Sequence, residues 1–160
     1  MAKPCAVTHA KDAALTAFPR GCAMPTEFVM PKAHLRNKPT VLVVDDAVAV
    51  STTIMWVLRQ NGYNCIAVGS RSEAIRTCAG IAPDVALIET TLPDGSGLDT
   101  ARDLRRYLPG CRMLLMAGDP ESGQSIEAAR ARGFDCEVIP KPIPPEELLR
   151  KVKDALAQPV

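Results

Sequence analysis

The chain has 160 residues, of which 47% are hydrophobic and 4% aromatic, and its formal net charge is +1. These values fit one domain with a mainly aliphatic core, and the small net charge gives no general reason to expect nucleic-acid binding. No apolar run approaches the ~18 residues that a membrane span needs. We therefore expect a protein that works in the cytoplasm and does not contact membranes.

Residues 1–38 differ in composition from the rest of the chain. They contain six Lys or Arg against two acids, include four prolines and show no sustained hydrophobic period. This composition predicts a flexible basic tail over 1–38 and a folded domain over 39–160. The tail has no dense basic block, and no role is predicted for it.

The six cysteines do not have the spacing of the common metal and redox motifs. None belongs to a C-x-x-C pair, and no histidine follows His34. We interpret them as small buried hydrophobic residues in a reducing compartment, not as disulfides or zinc ligands. They are Cys5, Cys22, Cys65, Cys78, Cys111 and Cys136.

From Pro39 onward, short apolar runs alternate with helical patterns. "TVLVV" (Thr40–Val44) predicts a strand, and apolar residues at helical spacing then predict a helix that ends near Gly62. "NCIAV" (Asn64–Val68) is the second predicted strand. Ser70 and Glu73 have the spacing of a capping box, which predicts a helix over 71–79. The face of the first helix is marked by Val50, Ile54, Val57 and Leu58.

The alternation of strand and helix occurs three more times. "DVALIE" leads to "GLDTARDLRRYL", "RMLLMA" leads to "SIEAARARG", and "CEVI" leads to "PPEELLRKVKDALA", whose proline pair suits a first helical turn. Five βα units predict an α/β fold, a doubly wound five-stranded parallel sheet with helices on both faces.

Charged residues follow several of the predicted strands. Asp45 and Asp46 end the first strand, Glu89 ends the third, and Lys141 follows the fifth. Ligands of such sheets bind beyond the carboxyl ends of the strands, where these side chains converge. Mg²⁺ binds to clusters of carboxylate oxygens of this kind, so the cluster is a candidate magnesium site.

These residues resemble a known family. The pieces "VLVVDDA", "DVALIETTLPDGSGLD", "LLMAG" and the "KP" at Lys141 and Pro142 are similar to the receiver domain of two-component response regulators. The resemblance covers Thr40 to Leu156 and implies the flavodoxin-like receiver fold.

The resemblance also implies a role for each position at the strand ends. Asp45 and Asp46 would hold Mg²⁺, with help from the backbone carbonyl of Thr91. Glu89 occupies the place of the aspartate that receives a phosphoryl group from a histidine kinase.

Two switch positions and the lysine complete the comparison. Met116 replaces the Ser or Thr that binds the phosphoryl group, and Val138 replaces the aromatic switch residue. Lys141 is the retained charge partner, and its bond to Pro142 is implied to be cis. The extra methylene of Glu89, roughly 1.5 Å, would bring its oxygens within reach of Lys141.

We therefore expect a stand-alone receiver-like signalling module in two-component phosphorelay signalling, not an enzyme. Because acceptor, hydroxyl and aromatic residue are all changed, it is expected to act without phosphorylation. The receiver pattern runs almost to Val160, so we expect no DNA-binding domain and output through protein contacts. Its partners would be a sensor histidine kinase or a downstream signalling protein. Oligomeric state is not predicted.

Two other functions stay open. One is a conventional Mg²⁺-dependent phosphorylated receiver that uses Asp94 or another acid. The other is a Mg²⁺-dependent phosphatase or phosphotransferase of similar topology, although such enzymes favour Asp-x-Asp where this chain has Asp45-Asp46-Ala47. A dinucleotide enzyme is disfavoured because "VVDDAVAV" lacks the glycines that a pyrophosphate needs.

Overall fold

A computed structural model describes residues 38–118 and 136–158, together with residues 127, 130 and 131. Seven strands lie in these ranges: β1 Thr40–Val44, β2 Asn64–Val68, β3 Val85–Glu89, β4 Thr91–Leu92, β5 Gly95–Ser96, β6 Arg112–Ala117 and β7 Glu137–Pro140. The helices with full bounds are α1 Val48–Gln60, α2 Arg71–Cys78, α3 Gly97–Tyr107 and α4 Pro145–Ala157.

Five of the strands form one parallel sheet in the order β2-β1-β3-β6-β7. The predicted α/β fold with a doubly wound five-stranded parallel sheet is therefore confirmed. Its strands are apolar because both faces are covered.

The two faces of the sheet carry separate core clusters. Leu42, Ile88 and Leu115 point toward one face and pack with α2 and α3, whereas Val43, Leu87 and Leu114 point to the other face with α1 and α4. Alternate residues of a strand face opposite sides, so one apolar run supplies both cores.

Helix ends follow the predicted local signals. Ser70 caps α2, since its side chain accepts a hydrogen bond from Glu73 N, and Glu73 in turn accepts one from Gly69 N at 2.9 Å. Pro145 occupies the first turn of α4. Helix α1 ends at Gln60, two residues before Gly62, which has a φ of 87°.

Other predictions fall partly or wholly outside the described residues. The tail over 1–38 lies outside them except for Lys38, and of the predicted helix in "SIEAARARG" only Glu127, Arg130 and Ala131 are described, all helical. Cys65, Cys78, Cys111 and Cys136 are buried, as predicted, while Cys5 and Cys22 are not described. No helix in the described ranges has the length and apolar character needed to cross a bilayer.

Candidate functional site

The parallel register brings the predicted site residues to one edge of the sheet. Glu89 at the end of β3 pairs with Met116 of β6, and Ala117 pairs with Pro140 of β7 just before Lys141. Asp45 follows β1, whose Val44 pairs with Ile88. Residues far apart in the chain thus meet because all these strands point in the same direction.

Lys141 lies at the centre of this edge. Its backbone N–H donates to Ala117 O at 2.8 Å, and the bond to Pro142 is cis, as the resemblance implied. The Nζ atom donates to Asp45 Oδ2 at 2.6 Å and also to Glu89 Oε2. The predicted contact between Glu89 and Lys141 is therefore present.

The two carboxylates determine the protonation state of Lys141. Burial alone would lower the pKa of this ammonium, but the hydrogen bonds and negative charges of Asp45 and Glu89 together raise the pKa above its ordinary value. Lys141 therefore carries its positive charge throughout the neutral range and beyond.

Glu89 is a buried carboxylate, with 8% of the residue exposed. While Oε2 accepts from Lys141, Oε1 accepts from the backbone N–H and the hydroxyl of Thr90, each at 3.0 Å. Both oxygens are therefore satisfied inside the protein, which offsets the cost of burying the charge.

Asp45 is also buried, and it joins the site to the start of α1. Its Oδ1 accepts from Ala47 N at 2.9 Å, while Oδ2 accepts from Lys141. Asp46 is exposed. The acidic pair of the sequence is thus divided between an inward-facing carboxylate and one that faces solvent.

Gly97 is a site-forming residue that the sequence prediction did not single out. An added Cβ would lie 2.7 Å from the carbonyl carbon of Glu89 and 3.0 Å from Thr90 Cα. The Gly97 N–H also donates to Thr90 O at 2.9 Å. Only glycine allows α3 to begin directly against the end of β3. The available signal was the last glycine of "LPDGSG" (Leu92 to Gly97), within the stretch that resembles receiver domains.

Asp94 caps a neighbouring helix. Its two carboxylate oxygens accept hydrogen bonds from the N–H groups of Arg71 at 2.8 Å and Ser72 at 2.9 Å, in the first turn of α2. Bonds from the backbone N–H of Ser72, and then of Arg71, hold the pKa of this carboxyl below its ordinary value. The short β4–β5 hairpin that carries Asp94 was not predicted.

The remaining predicted positions lie around the cluster. Met116 is fully buried and belongs to the core shared with α1 and α4, whereas Val138 is half-buried and packs on the opposite core. Thr91 is exposed in β4. In the part of the chain that the structure describes, no three His, Cys, Asp or Glu residues are grouped so that they could hold a metal ion.

Comparison with known proteins places this geometry in a family. The model of the response regulator receiver domain matches residues 41–153. The probable transcriptional regulatory protein TcrX of Mycobacterium tuberculosis is 34% identical over 117 residues, which make up 73% of this chain and 49% of that protein. PhoB of Pseudomonas aeruginosa, a phosphate regulon transcriptional regulatory protein, is 28% identical over 119 residues, 73% of this chain and 51% of that protein. The chain thus spans about half the length of these curated relatives.

Solved structures give the same result. A two-component response regulator from Clostridium difficile has a TM-score of 0.68 at 26% identity, covering 76% of this chain and 98% of that one. A CheY-like receiver domain protein from Methanospirillum hungatei has a TM-score of 0.66 at 25% identity, covering 74% of this chain and 94% of that one. With a family model that matches well over half of its length, the chain belongs to the response regulator receiver domain family.

Proposed function

We propose that this chain is a receiver-type signalling module that works in the cytoplasm without phosphorylation and acts through protein contacts. Its acceptor position carries a permanent carboxylate, Glu89, bound to Lys141. The observation that supports this most directly is that both Glu89 oxygens are bound inside the protein, one by Lys141 and the other by Thr90.

A phosphoryl acceptor has to present a free oxygen in line with the donor. In Glu89, one oxygen contacts the ammonium of Lys141, and the other accepts two hydrogen bonds from Thr90. Attack on a donor would have to break a Thr90 contact or use the oxygen that binds the Lys141 ammonium, at a residue with only 8% exposure. The carboxylate therefore fits a fixed structural charge better than a nucleophile.

Met116 supports the same function. It lies beside Glu89 in the register of β3 and β6 and is fully buried. A thioether supplies no O–H donor for a phosphoryl oxygen. The loss of one such partner would weaken a phosphorylated state by about 1–3 kcal/mol.

Asp94 offers no better acceptor. It is exposed, and both of its oxygens accept hydrogen bonds from the first turn of α2. Its observed contacts support a capping role for this carboxylate. They do not favour a conventional phosphorylated receiver built on Asp94.

The test is incubation of the full chain with Mg²⁺ and acetyl phosphate, followed by intact-mass measurement. Wild type is expected to show no phosphoryl adduct. The matched variant Glu89→Asp with Met116→Thr restores the acceptor and the hydroxyl and is expected to gain labelling, while Met116→Thr alone is not. An adduct localised to Glu89 in wild type would overturn the proposal.

Receiver domains interact with histidine kinases and downstream proteins, and we propose such a partner here. If the fixed charge of Glu89 is part of the signal, partners captured by wild type and by Glu89→Ala should differ. Identical sets of partners, with both proteins folded, would contradict a signalling role for this charge.

A further inference from the structure

Lys141 lies against the two buried carboxylates at the mouth of the sheet. Its Nζ contacts Asp45 and Glu89 together, and its side chain is 20% exposed. We propose that Lys141 is the resident cation of this site and takes the place of Mg²⁺, so that the receiver is independent of metal. The inference rests on the proposed function, because it concerns the same occupied carboxylates, but metal binding is measured separately from phosphorylation.

The donor set of the two buried carboxylates is already in use. Asp45 Oδ1 accepts from Ala47 N and Oδ2 from Lys141, while Glu89 Oε1 accepts from Thr90 and Oε2 from Lys141. Each of the four oxygens therefore has a protein donor. A metal ion would have to share these oxygens with their donors, and two of the oxygens already contact the Lys141 ammonium, whose charge repels a second cation.

Among the other expected ligands, the side chain of Asp46 is not grouped with these carboxylates. Asp46 and Thr91 are both exposed, and within the described ranges no three acidic, His or Cys side chains could hold a metal ion together. Mg²⁺ requires near-octahedral oxygen ligands at close range and gives up its waters reluctantly. With Asp46 outside the group, Mg²⁺ would depend on Asp45 and Glu89, and Lys141 already contacts both. The donors of the site therefore do not fit Mg²⁺ while Lys141 is in place.

The backbone gives Lys141 an advantage over a dissolved ion. Its own N–H is bound to Ala117 O at 2.8 Å, and its stem passes Gly118, where an added Cβ would lie 3.8 Å from Lys141 Cδ. The ammonium is thus delivered by the chain itself and loses no translational freedom on binding, unlike Mg²⁺.

The first measurement uses Mn²⁺ as the probe, because it takes the same oxygen ligands as Mg²⁺. The electron paramagnetic resonance signal of free Mn²⁺ is followed while full-length wild type is added. We expect no saturable loss of this signal. A saturable loss that Asp45→Asn abolishes would overturn the proposal, even if wild type still fails to become phosphorylated.

The second measurement asks whether removal of the lysine creates a metal site. Lys141→Met keeps the apolar stem and frees one oxygen on each of Asp45 and Glu89. In this variant we expect at least about a tenfold gain in Mn²⁺ affinity and a thermal midpoint that rises with Mg²⁺ concentration. A folded Lys141→Met protein without either response would overturn the proposal.

Lys151 offers a matched control. It also pairs with a carboxylate, Glu137, and its side chain is 18% exposed, close to the 20% of Lys141. Lys151→Met removes a paired lysine of similar burial away from the site, so the thermal midpoint of this variant should not respond to Mg²⁺. An equal response in both variants would mean that the loss of any lysine charge causes the effect, and this would count against the proposal. If Lys141→Met does not fold, the Mn²⁺ measurement on wild type still decides whether the site binds a metal ion.

Discussion

Lys141 and Glu89, separated by 52 residues in sequence, form an ion pair at the buried mouth of the parallel sheet. Only 11% of the Glu89 side chain and 20% of the Lys141 side chain are exposed. Neither charge can recover much of its hydration, so each depends on the other and on nearby donors. Removing one partner of this pair should therefore lower the free energy of unfolding more than removing one partner of an exposed pair.

We expect Glu89→Gln to lower the free energy of unfolding by about 1–2 kcal/mol, because Lys141 loses one charged partner and keeps Asp45. Urea unfolding followed by circular dichroism measures this. Glu137→Gln is the control, since the Glu137 side chain is 36% exposed and such pairs contribute about 0–1 kcal/mol. Equal losses of unfolding free energy in the two variants would contradict the distinction between a buried and an exposed ion pair.

Gly97 should not tolerate even one added methyl group. A Cβ there would lie 2.7 Å from the carbonyl carbon of Glu89, a backbone atom that cannot rotate away. We expect Gly97→Ala to destabilise the fold by about 3 kcal/mol or more. Gly80→Ala is the control: its nearest heavy atom is 4.0 Å away, so it should change the urea midpoint little.

Asp94 should make stability depend on pH on the acidic side. Its pKa is lowered by the N–H groups of Ser72 and Arg71, so the folded state binds a proton less readily than the unfolded state. The stabilisation is complete above the unfolded pKa and is lost as pH falls through the lower folded pKa.

The urea midpoints of wild type and Asp94→Asn should accordingly differ by a constant amount above about pH 5 and converge as the pH falls further. Asp154→Asn serves as the control, because Asp154 is an exposed carboxylate whose Oδ2 contacts the side chain of Arg150 at 3.3 Å. If the difference in urea midpoint between wild type and Asp94→Asn widens toward low pH, the predicted direction of the pH dependence is wrong.

Two buried thiols should be unreactive in the folded protein. Burial raises the pKa of Cys65 and of Cys78 to about 11 each, and the charge of Arg59 only partly opposes this at Cys65. Near pH 8, roughly one thiol in a thousand would then be ionised. Iodoacetamide labelling with peptide mapping should leave both unmodified until urea is added. Modification at the unfolded rate in native buffer would contradict this.

Much of the fold could be predicted because its signals are local. The strand Asn64–Val68 was predicted with the bounds that the structure shows, and Ser70 with Glu73 marked the start of α2. The β4–β5 hairpin was missed, since two-residue strands leave no hydrophobic period to detect.

The candidate site was predicted less completely. Asp45, Glu89 and Lys141 could be placed at one edge because parallel strands carry their carboxyl ends to the same side. Asp94 was seen only as a loop acid, because its partners in α2 lie 22 and 23 residues away in sequence. A cap supplied from another loop has no local spacing to reveal it.

The sequence by itself thus determined the order of strands and helices, their apolar faces and the residue types at the strand ends. Hydrophobic period, capping residues and glycine act over a few residues, so they can be read along the chain. Only the tertiary structure decided that Lys141 contacts both Asp45 and Glu89, across 96 and 52 residues, and that Asp46 faces solvent. Those contacts depend on strand register and on the direction of each side chain, which are settled when the two cores pack.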